Sequence, residues 1–153
     1  GVVGRRLSPA DREGLLADYH RPYRQAVCAA VEEGLRRRGA VTLLSVHSFT
    51  PRLKGVVRNV DVAVLYDPAR PAEGRLADAI LAPFAAAGLR VRRNYPYRGV
   101  SDGVATALRR RFDRAGERLV PVEIEYSHRL FDGGWRPARL AELTAEGIAA
   151  FKG

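Results

Sequence analysis

Apolar side chains recur at three- and four-residue spacing near the start of the chain, which predicts one long amphipathic helix. The apolar positions are Leu16, Tyr19, Tyr23, Val27, Ala30, Val31 and Leu35. Ser8 predicts the start of this helix because its hydroxyl can accept a hydrogen bond from a free backbone amide, and Gly39 predicts its end. Pro22 lies inside the pattern and lacks an amide hydrogen, so we expect an interruption near residues 19–21.

Farther along the chain, short apolar runs alternate with helical patterns. The runs predict strands over residues 40–46, 60–66, 89–94 and 119–126, and the helical patterns cover residues 75–88, 102–115 and 137–151. Residues 51–59 contain glycine and several basic side chains and are predicted to form a loop. Alternating strands and helices indicate an α/β fold, and we expect a three-layer sandwich with a mixed, largely parallel sheet.

The length of 153 residues favours a single α/β domain over residues 1–153. The sequence has no apolar run of about 18 residues, and no apolar segment follows its start at residues 1–6, so neither a membrane span nor a signal peptide is predicted. Cys28 is the single cysteine, which excludes an intramolecular disulfide framework and a cysteine-rich zinc module. These features favour a protein of the reducing cytoplasm.

The net charge is +9, with 26 Lys and Arg residues against 17 Asp and Glu residues. Such an excess is typical of proteins that bind nucleic acid or another polyanion. However, Lys54 and Lys152 are the only lysines, and this strong preference for arginine is also expected from codon bias in a GC-rich genome. Charge alone therefore does not favour nucleic acid as the partner. An Arg-rich, non-catalytic α/β module that binds a polyanion stays the alternative function.

Polar side chains cluster where the predicted strands end. His47 and Ser48 follow the first strand, Asn94 and Tyr97 lie at and beyond the end of the third, and Glu125 lies in the last. Ligands of open α/β sheets bind beyond the carboxyl ends of the strands. These side chains are therefore candidates for one shared crevice.

Two of these residues have alternative interpretations. His47 is either a metal ligand or acid–base group at a strand end, or a histidine hydrogen-bonded in a turn. Glu125 lies within an apolar strand, where an unpaired carboxylate is costly, so it is either the buried ion-pair partner of an arginine or a catalytic base. Strand alternation places Glu123 on the same face as Glu125, and the pattern does not separate their roles.

The single cysteine and the two arginine runs are interpreted as structural and not as part of a site. Cys28 lies beside the apolar stripe of the first helix and is interpreted as a structural thiol. The arginine runs at residues 36–38 and 109–111 are interpreted as solvated helix faces. The sequence contains no Gly-rich phosphate loop, HExxH or CxxC motif.

The segments that carry the candidate residues resemble the N-formylglutamate amidohydrolase family, zinc-dependent hydrolases whose fold is related to that of the zinc carboxypeptidases. The matching segments are Tyr19-His20-Arg21-Pro22-Tyr23-Arg24, Ser45-Val46-His47-Ser48-Phe49-Thr50-Pro51, residues 58–66, Asn94-Tyr95-Pro96-Tyr97, Asp102-Gly103-Val104 and Val122-Glu123-Ile124-Glu125. No single segment is specific, but the ordered set extends over nearly the whole chain.

The resemblance implies a phosphorylase/hydrolase-like fold and hydrolysis of the amide of a small acidic N-acyl (N-formyl) amino acid by zinc-activated water. It implies that His47 is a zinc ligand and Glu125 the general base that activates the zinc-bound water. Arg58 is implied as the clamp for a substrate carboxylate, which its forked guanidinium can bind through two hydrogen bonds. The residues implied to line the substrate pocket are Ser48, Asn94 and Tyr97.

The family also has a strand and a loop that carry the other zinc ligands, ahead of the region that this chain matches. We therefore expect this chain to be the C-terminal portion of such a domain, with an incomplete fold. Catalytic zinc normally has three protein ligands, whereas the resemblance assigns one here, His47. We expect the chain alone to be inactive, and the exact substrate and the oligomeric state do not follow from the sequence.

Overall fold

The computed structural model describes residues 7–152, apart from the side chain of Glu117. Residues 1–6, where no signal peptide is predicted, lie outside the described residues. The chain divides after Gly39 into two compact units, and each is described by itself. The single domain expected over residues 1–153 stays a prediction.

The first unit is helical. It consists of α1 (Pro9–Leu15), a π-helical turn (Leu16–His20) and α2 (Arg21–Arg38). Ser8 and Asp11 form a capping box, in which Asp11 N donates to Ser8 Oγ and Ser8 N donates to Asp11 Oδ2, both at 3.1 Å. The Ser8 hydroxyl also donates to Asp11 Oδ2 at 2.7 Å, and the hydrogen bonds from the Ser8 hydroxyl and amide lower the pKa of Asp11. The predicted helix start is therefore confirmed.

Pro22 accounts for the π-helical turn that precedes it. Proline has no amide hydrogen and its ring crowds the carbonyl four residues earlier, so a regular helix is disturbed on its N-terminal side. The Arg21 amide reaches back five residues to Leu16 O, which widens the turn. The predicted interruption is confirmed, and Gly39 ends α2 in a left-handed conformation with φ of 76°.

The second unit contains the sheet. Its strands are β1 (Val41–Phe49), β2 (Arg52–Leu53), β3 (Val56–Val57), β4 (Val62–Leu65), β5 (Val91–Arg93) and β6 (Leu119–Ser127). The main sheet has the order β1-β6-β4-β5, in which β1 and β6 are parallel, β4 and β5 are parallel, and β4 and β6 are antiparallel. The mixed, largely parallel sheet is confirmed. The predicted loop over residues 51–59 contains a short antiparallel hairpin, β2 and β3.

The helices of this unit are α3 (Pro71–Ala86), α4 (Val104–Arg111), α5 (Arg129–Asp132) and α6 (Pro137–Ala150), and they cover both sides of the sheet. α3 begins at Pro71 rather than at the predicted residue 75, because proline is well suited to the first helical turn. The helix predicted over residues 102–115 ends at Arg111, and a 3-10 helix (Asp113–Arg118) follows it.

The core lies on one face of the sheet, against α3 and α6. Alternate residues of β6 belong to it, namely Val120, Val122, Ile124 and Tyr126. Tyr126 meets Phe84 edge to face with the ring centroids 6.1 Å apart, and its hydroxyl shares a hydrogen bond of 2.6 Å with Thr144. Burial raises the pKa of Tyr126. Because neighbouring side chains alternate along a strand, Glu123 and Glu125 lie on the opposite face.

Candidate functional site

The strand register brings the polar residues of the opposite face together. Glu125 in β6 lies directly between His47 in β1 and Ala63 in β4. Two residues earlier in the same two strands, Glu123 lies opposite Ser45. Residues that are paired in register share a face of the sheet. The two carboxylates, the imidazole and the serine hydroxyl therefore form one patch.

Glu125 is the most unusual group in this patch. The residue is only 5% exposed, and its Oε2 atom is buried without a hydrogen-bond partner among the described residues. Burial raises the pKa of Glu125 above its ordinary value of 4.5, and the nearby Glu123 charge raises it further, while His47 and Arg58 lower it. The structure thus places a buried carboxyl group with an unused oxygen beside His47 and Arg58.

His47 lies inside β1, two residues before its last residue, Phe49. The expected position of His47 at the end of the strand is wrong. β1 continues to Phe49, which pairs in register with Ser127 of β6. The imidazole is exposed, and a hydrogen bond of 2.8 Å joins its Nε2 to Ser45 Oγ. Because Ser45 and His47 are two residues apart in a strand, this hydrogen bond holds the ring on the face that carries Glu125.

Glu123 has different surroundings from Glu125. Gly103 caps the N-terminus of α4 with φ of 104°, and a Cβ atom placed on it would lie 3.0 Å from Glu123 Oε1. The N-terminal end of a helix carries partial positive charge, which attracts an acidic side chain. The structure therefore separates the two carboxylates, with Glu123 beside a helix end and Glu125 buried without a partner for Oε2.

The conformation of Gly103 predicts that Gly103→Ala destabilises the second unit by about 1–3 kcal/mol, the usual cost of a strained backbone conformation. The alanine would have to adopt a positive φ and would also crowd Glu123. Gly134→Ala is the matched control, because Gly134 has a φ of 83° and open space around it. Urea denaturation of both variants is the measurement. Equal losses would mean that the Glu123 contact contributes nothing beyond backbone strain.

Arg58 is held beside the patch by contacts other than an ion pair with a neighbouring aspartate. Its Nη1 donates to the Tyr97 hydroxyl at 3.2 Å and to Thr50 O at 3.5 Å, and its guanidinium carbon lies 5.1 Å from the centre of the Tyr97 ring. Asp61, an aspartate three residues after Arg58 in the chain, is instead bound by Arg90 at 3.0 Å and by Arg129 at 2.6 Å. These surroundings leave Arg58 near Glu125, as the hypothesis of a substrate clamp requires.

Asn94 and Ser48 are engaged in other contacts. Asn94 Oδ1 accepts hydrogen bonds from Tyr66 N at 3.1 Å and from Gly99 N at 3.0 Å, so this oxygen fastens a loop. Ser48 Oγ shares a hydrogen bond of 3.0 Å with His128 Nε2. Ser48 follows His47 in the strand, so its side chain lies on the other face. The structure brings Glu125, His47, Arg58 and Tyr97 together, but not Ser48.

The interpretation of residues 109–111 as a solvated face is wrong for Arg109. Arg109 is only 8% exposed, and its Nη2 forms a buried ion pair with Glu73 Oε2 at 2.7 Å. The helical spacing explains this burial. Arg109 lies four residues after the buried Ala105 and therefore shares its face of α4. The sequence pattern assigned no role to Glu73, the partner of Arg109.

The metal-binding capacity of the patch is limited. Across residues 7–152, no three His, Cys, Asp or Glu side chains are grouped so that they could hold a metal ion. His47 with two flanking glutamates on β6 does not amount to the three-ligand set of a catalytic zinc ion. The described side chains therefore do not by themselves fit such an ion. In the same part of the chain, no helix has the length and apolar character needed to cross a bilayer.

The raised pKa of Glu125 predicts a pH-dependent stability. A carboxyl group whose pKa is raised on folding binds protons more tightly in the folded state, so stability falls as pH rises from about 4.5 through the folded-state pKa. Glu125→Gln removes this ionisation. We expect the variant to gain stability relative to the wild type as pH rises from 4 to 8, measured by urea denaturation. A stability difference that does not change with pH would contradict the burial of an ionisable Glu125.

Comparison with known proteins identifies the family of this chain. The family model for N-formylglutamate amidohydrolase matches residues 1–131. A gene product of Agrobacterium tumefaciens superposes with a TM-score of 0.69 and 31% identity, covering 95% of this chain and 56% of its own. An N-formylglutamate amidohydrolase from Ralstonia eutropha superposes with a TM-score of 0.67 and 26% identity, covering 95% of this chain and 53% of its own.

This chain therefore spans about half the length of the solved structures that it matches. A search of curated sequences found no match. The family model covers most of the chain, and both superpositions extend over nearly all of it. On this ground the chain belongs to the N-formylglutamate amidohydrolase family.

Proposed function

We propose that this chain supplies part of the active site of a hydrolase that cleaves the amide of a small acidic N-acyl amino acid, with an N-formyl amino acid as the leading example. The observation that carries the proposal is the buried Oε2 of Glu125, which has no hydrogen-bond partner within residues 7–152 and lies beside His47 and Arg58. An unsatisfied buried carboxylate costs stability, and such a cost is common at functional sites. Family membership supports the reaction type.

Glu125 acts as the general base in this proposal. Amide hydrolysis requires that the attacking water lose a proton and that the departing nitrogen gain one as the carbon–nitrogen bond breaks. A single carboxylate can perform both transfers, because it accepts the first proton and then donates it. The raised pKa of Glu125 suits this task, since a carboxyl group with a higher proton affinity accepts a proton more readily at neutral pH.

Arg58 binds the carboxylate of the acidic substrate. A guanidinium group can donate two parallel hydrogen bonds to a carboxylate, and the Tyr97 ring keeps the Arg58 guanidinium oriented. Arg58 lowers the pKa of Glu125, so it also favours the ionised form of the base. A substrate with a negative charge is thus bound close to the group that takes the proton from water.

Zinc is the metal that the resemblance implies, and a bound zinc ion makes water a nucleophile at neutral pH. The proposal assigns His47 as one ligand and requires further ligands from outside the described residues. Asn94 and Tyr97 are proposed as further substrate contacts. Ser48, the third residue that the resemblance implies, lies on the other face of the sheet and is not included. The reducing cytoplasm stays the expected compartment.

We expect this chain alone to retain far less than one zinc ion per molecule after dialysis and to release no formate from N-formyl-L-glutamate. The reason is that the described residues offer fewer than the three ligands that hold catalytic zinc. Metal analysis and a formate assay test this expectation, with His47→Ala as the control for any residual zinc. Stoichiometric zinc together with amide hydrolysis would show that the chain holds a complete site.

A further inference from the structure

The loop between β5 and α4, residues 94–103, is fastened to the end of β4. Asn94 Oδ1 accepts hydrogen bonds from the backbone amides of Tyr66 and Gly99, at 3.1 and 3.0 Å. Gly99 lies so close to the chain after β4 that a Cβ atom on it would collide with the Tyr66 backbone. The loop is therefore pressed against the residue that follows β4, at the middle of the sheet.

Arg109 reaches this loop from α4. Its Nη1 donates to Gly99 O at 2.6 Å and to Thr106 Oγ1 at 3.3 Å, and its Nη2 donates to Pro121 O at 3.1 Å. Thr106 Oγ1 also donates to Gly99 O at 3.4 Å. One buried guanidinium thus connects the loop, α4 and the start of β6.

Glu73 fixes the orientation of this guanidinium. Its two carboxylate oxygens accept from Arg109 Nε at 2.9 Å and from Arg109 Nη2 at 2.7 Å, and the residue has no exposed surface. Glu73 also accepts a hydrogen bond of 2.8 Å from Asp67 N, and Arg70 Nε lies 2.8 Å from its Oε1. A forked pair of this kind holds the arginine in one geometry, which a lysine cannot reproduce.

The loop carries the contact that orients Arg58. Tyr97 lies two residues before Gly99, and its hydroxyl accepts the hydrogen bond from Arg58 Nη1. At its far end the loop reaches Gly103, beside Glu123. Any shift of Gly99 would move Tyr97 relative to Arg58, and so would change the direction of the guanidinium that faces the patch.

We propose that Arg109 is a positioning residue for the substrate clamp, because it holds Gly99 in place and thereby keeps Tyr97 against Arg58. This inference rests on the proposed function of Arg58. Arg109 touches neither the substrate nor the reacting atoms and acts through the loop. Its buried ion pair with Glu73 preserves the geometry in which Arg58 meets a carboxylate.

The test compares Arg109→Lys with Arg110→Lys in this chain, because Arg110 is the exposed neighbour on the same helix. Lysine retains the charge opposite Glu73 but loses the fork that reaches Gly99 and Pro121. Amide hydrogen exchange and nuclear Overhauser contacts between the Tyr97 ring and Arg58 are measured by NMR. In Arg109→Lys we expect the Gly99 and Tyr66 amides to exchange about tenfold faster or more and the Tyr97 contacts to weaken.

Protection of the Ile124 amide in the middle of β6 reports on global stability in the same experiment. The proposal is overturned if Arg109→Lys leaves Gly99 and the Tyr97 contacts as in the wild type. It is also overturned if Gly99 and Ile124 accelerate by the same factor, which would indicate a general loss of stability. Should Arg109→Lys fail to fold, Thr106→Val removes a smaller part of the same network, and wild-type exchange at Gly99 in that variant would count against the proposal.

Titration with N-formyl-L-glutamate separates this inference from the proposed function. If wild-type Arg58 resonances do not respond to the ligand, the proposed function fails while the exchange result for the loop still stands. If they respond, we expect Arg109→Lys to weaken the response about tenfold and Arg110→Lys to leave it unchanged. Equal binding by both variants would overturn the positioning role.

Discussion

Replacement of Glu125 by Gln in an active form of the protein is expected to lower kcat by about 10²- to 10⁴-fold, the contribution typical of general acid–base groups. Gln has the shape of Glu but cannot accept the proton from water. Folding should not suffer, because burial already disfavours the ionised form of Glu125 and Gln carries no charge. The loss should therefore appear in kcat while the free energy of unfolding at neutral pH stays equal or rises.

Glu123→Gln is the matched control, since Glu123 lies on the same face of β6 but beside the N-terminus of α4. We expect this variant to lose some stability and to keep most of its kcat. The pH–rate profile adds a second test, because wild-type activity should fall as the pH drops through the raised pKa of Glu125. If Glu125→Gln unfolds and loses activity in proportion, Glu125 is a structural residue, and if it keeps full activity the role of base passes to Glu123.

The second large effect is expected for Arg58→Lys. Lysine retains the positive charge but loses the two parallel hydrogen bonds to a carboxylate, and a hydrogen bond to a charged group contributes about 1.5–3 kcal/mol. In an active form of the protein we therefore expect kcat/KM for an acidic N-acyl amino acid to fall about 10- to 100-fold. For the matched substrate in which an amide replaces the side-chain carboxylate, the expected change is small, because that substrate offers no side-chain carboxylate to the fork.

The measurement is the ratio of kcat/KM for N-formyl-L-glutamate to that for its side-chain amide, in wild type and Arg58→Lys. Tyr97→Phe is a useful companion, since it removes the hydroxyl that accepts from Arg58 but keeps the ring beneath the guanidinium. We expect a smaller change in the same direction. A loss that is equal for both substrates would mean that Arg58 does not contact the carboxylate.

The main elements of the fold could be predicted from the sequence because their patterns are local. Apolar runs mark β4 and β6, and a proline inside a helical pattern marks the π-helical turn before Pro22. The pairing of His47 with Glu125 could be anticipated only as two polar residues near strand ends. Their direct register across β1 and β6 depends on the strand order, which the sequence pattern does not specify.

Other features could not be predicted because they depend on which elements pack together. The pattern places Glu123 and Glu125 on one face, but their difference arises from the N-terminus of α4, which approaches one of them. Arg109 was assigned to solvent because it stands in a run of three arginines. Its burial follows from a partner 36 residues away, Glu73. Charged runs are a poor guide where one member lies on the apolar face of its helix.

Binding of an acidic N-acyl amino acid to this face of the sheet can be measured directly by an NMR titration of this chain with N-formyl-L-glutamate. The signals to follow are those of the side chains of Arg58, Tyr97, His47 and Glu125. We expect shifts confined to these four residues and their loop, and we expect these shifts to be lost in Arg58→Lys. Glutamine N-formylated at its α-amino group, which lacks the side-chain carboxylate, should give smaller shifts at Arg58. Shifts spread over the exposed arginines, or none at these residues at millimolar ligand, would contradict the claim that this face of the sheet binds an acidic N-acyl amino acid.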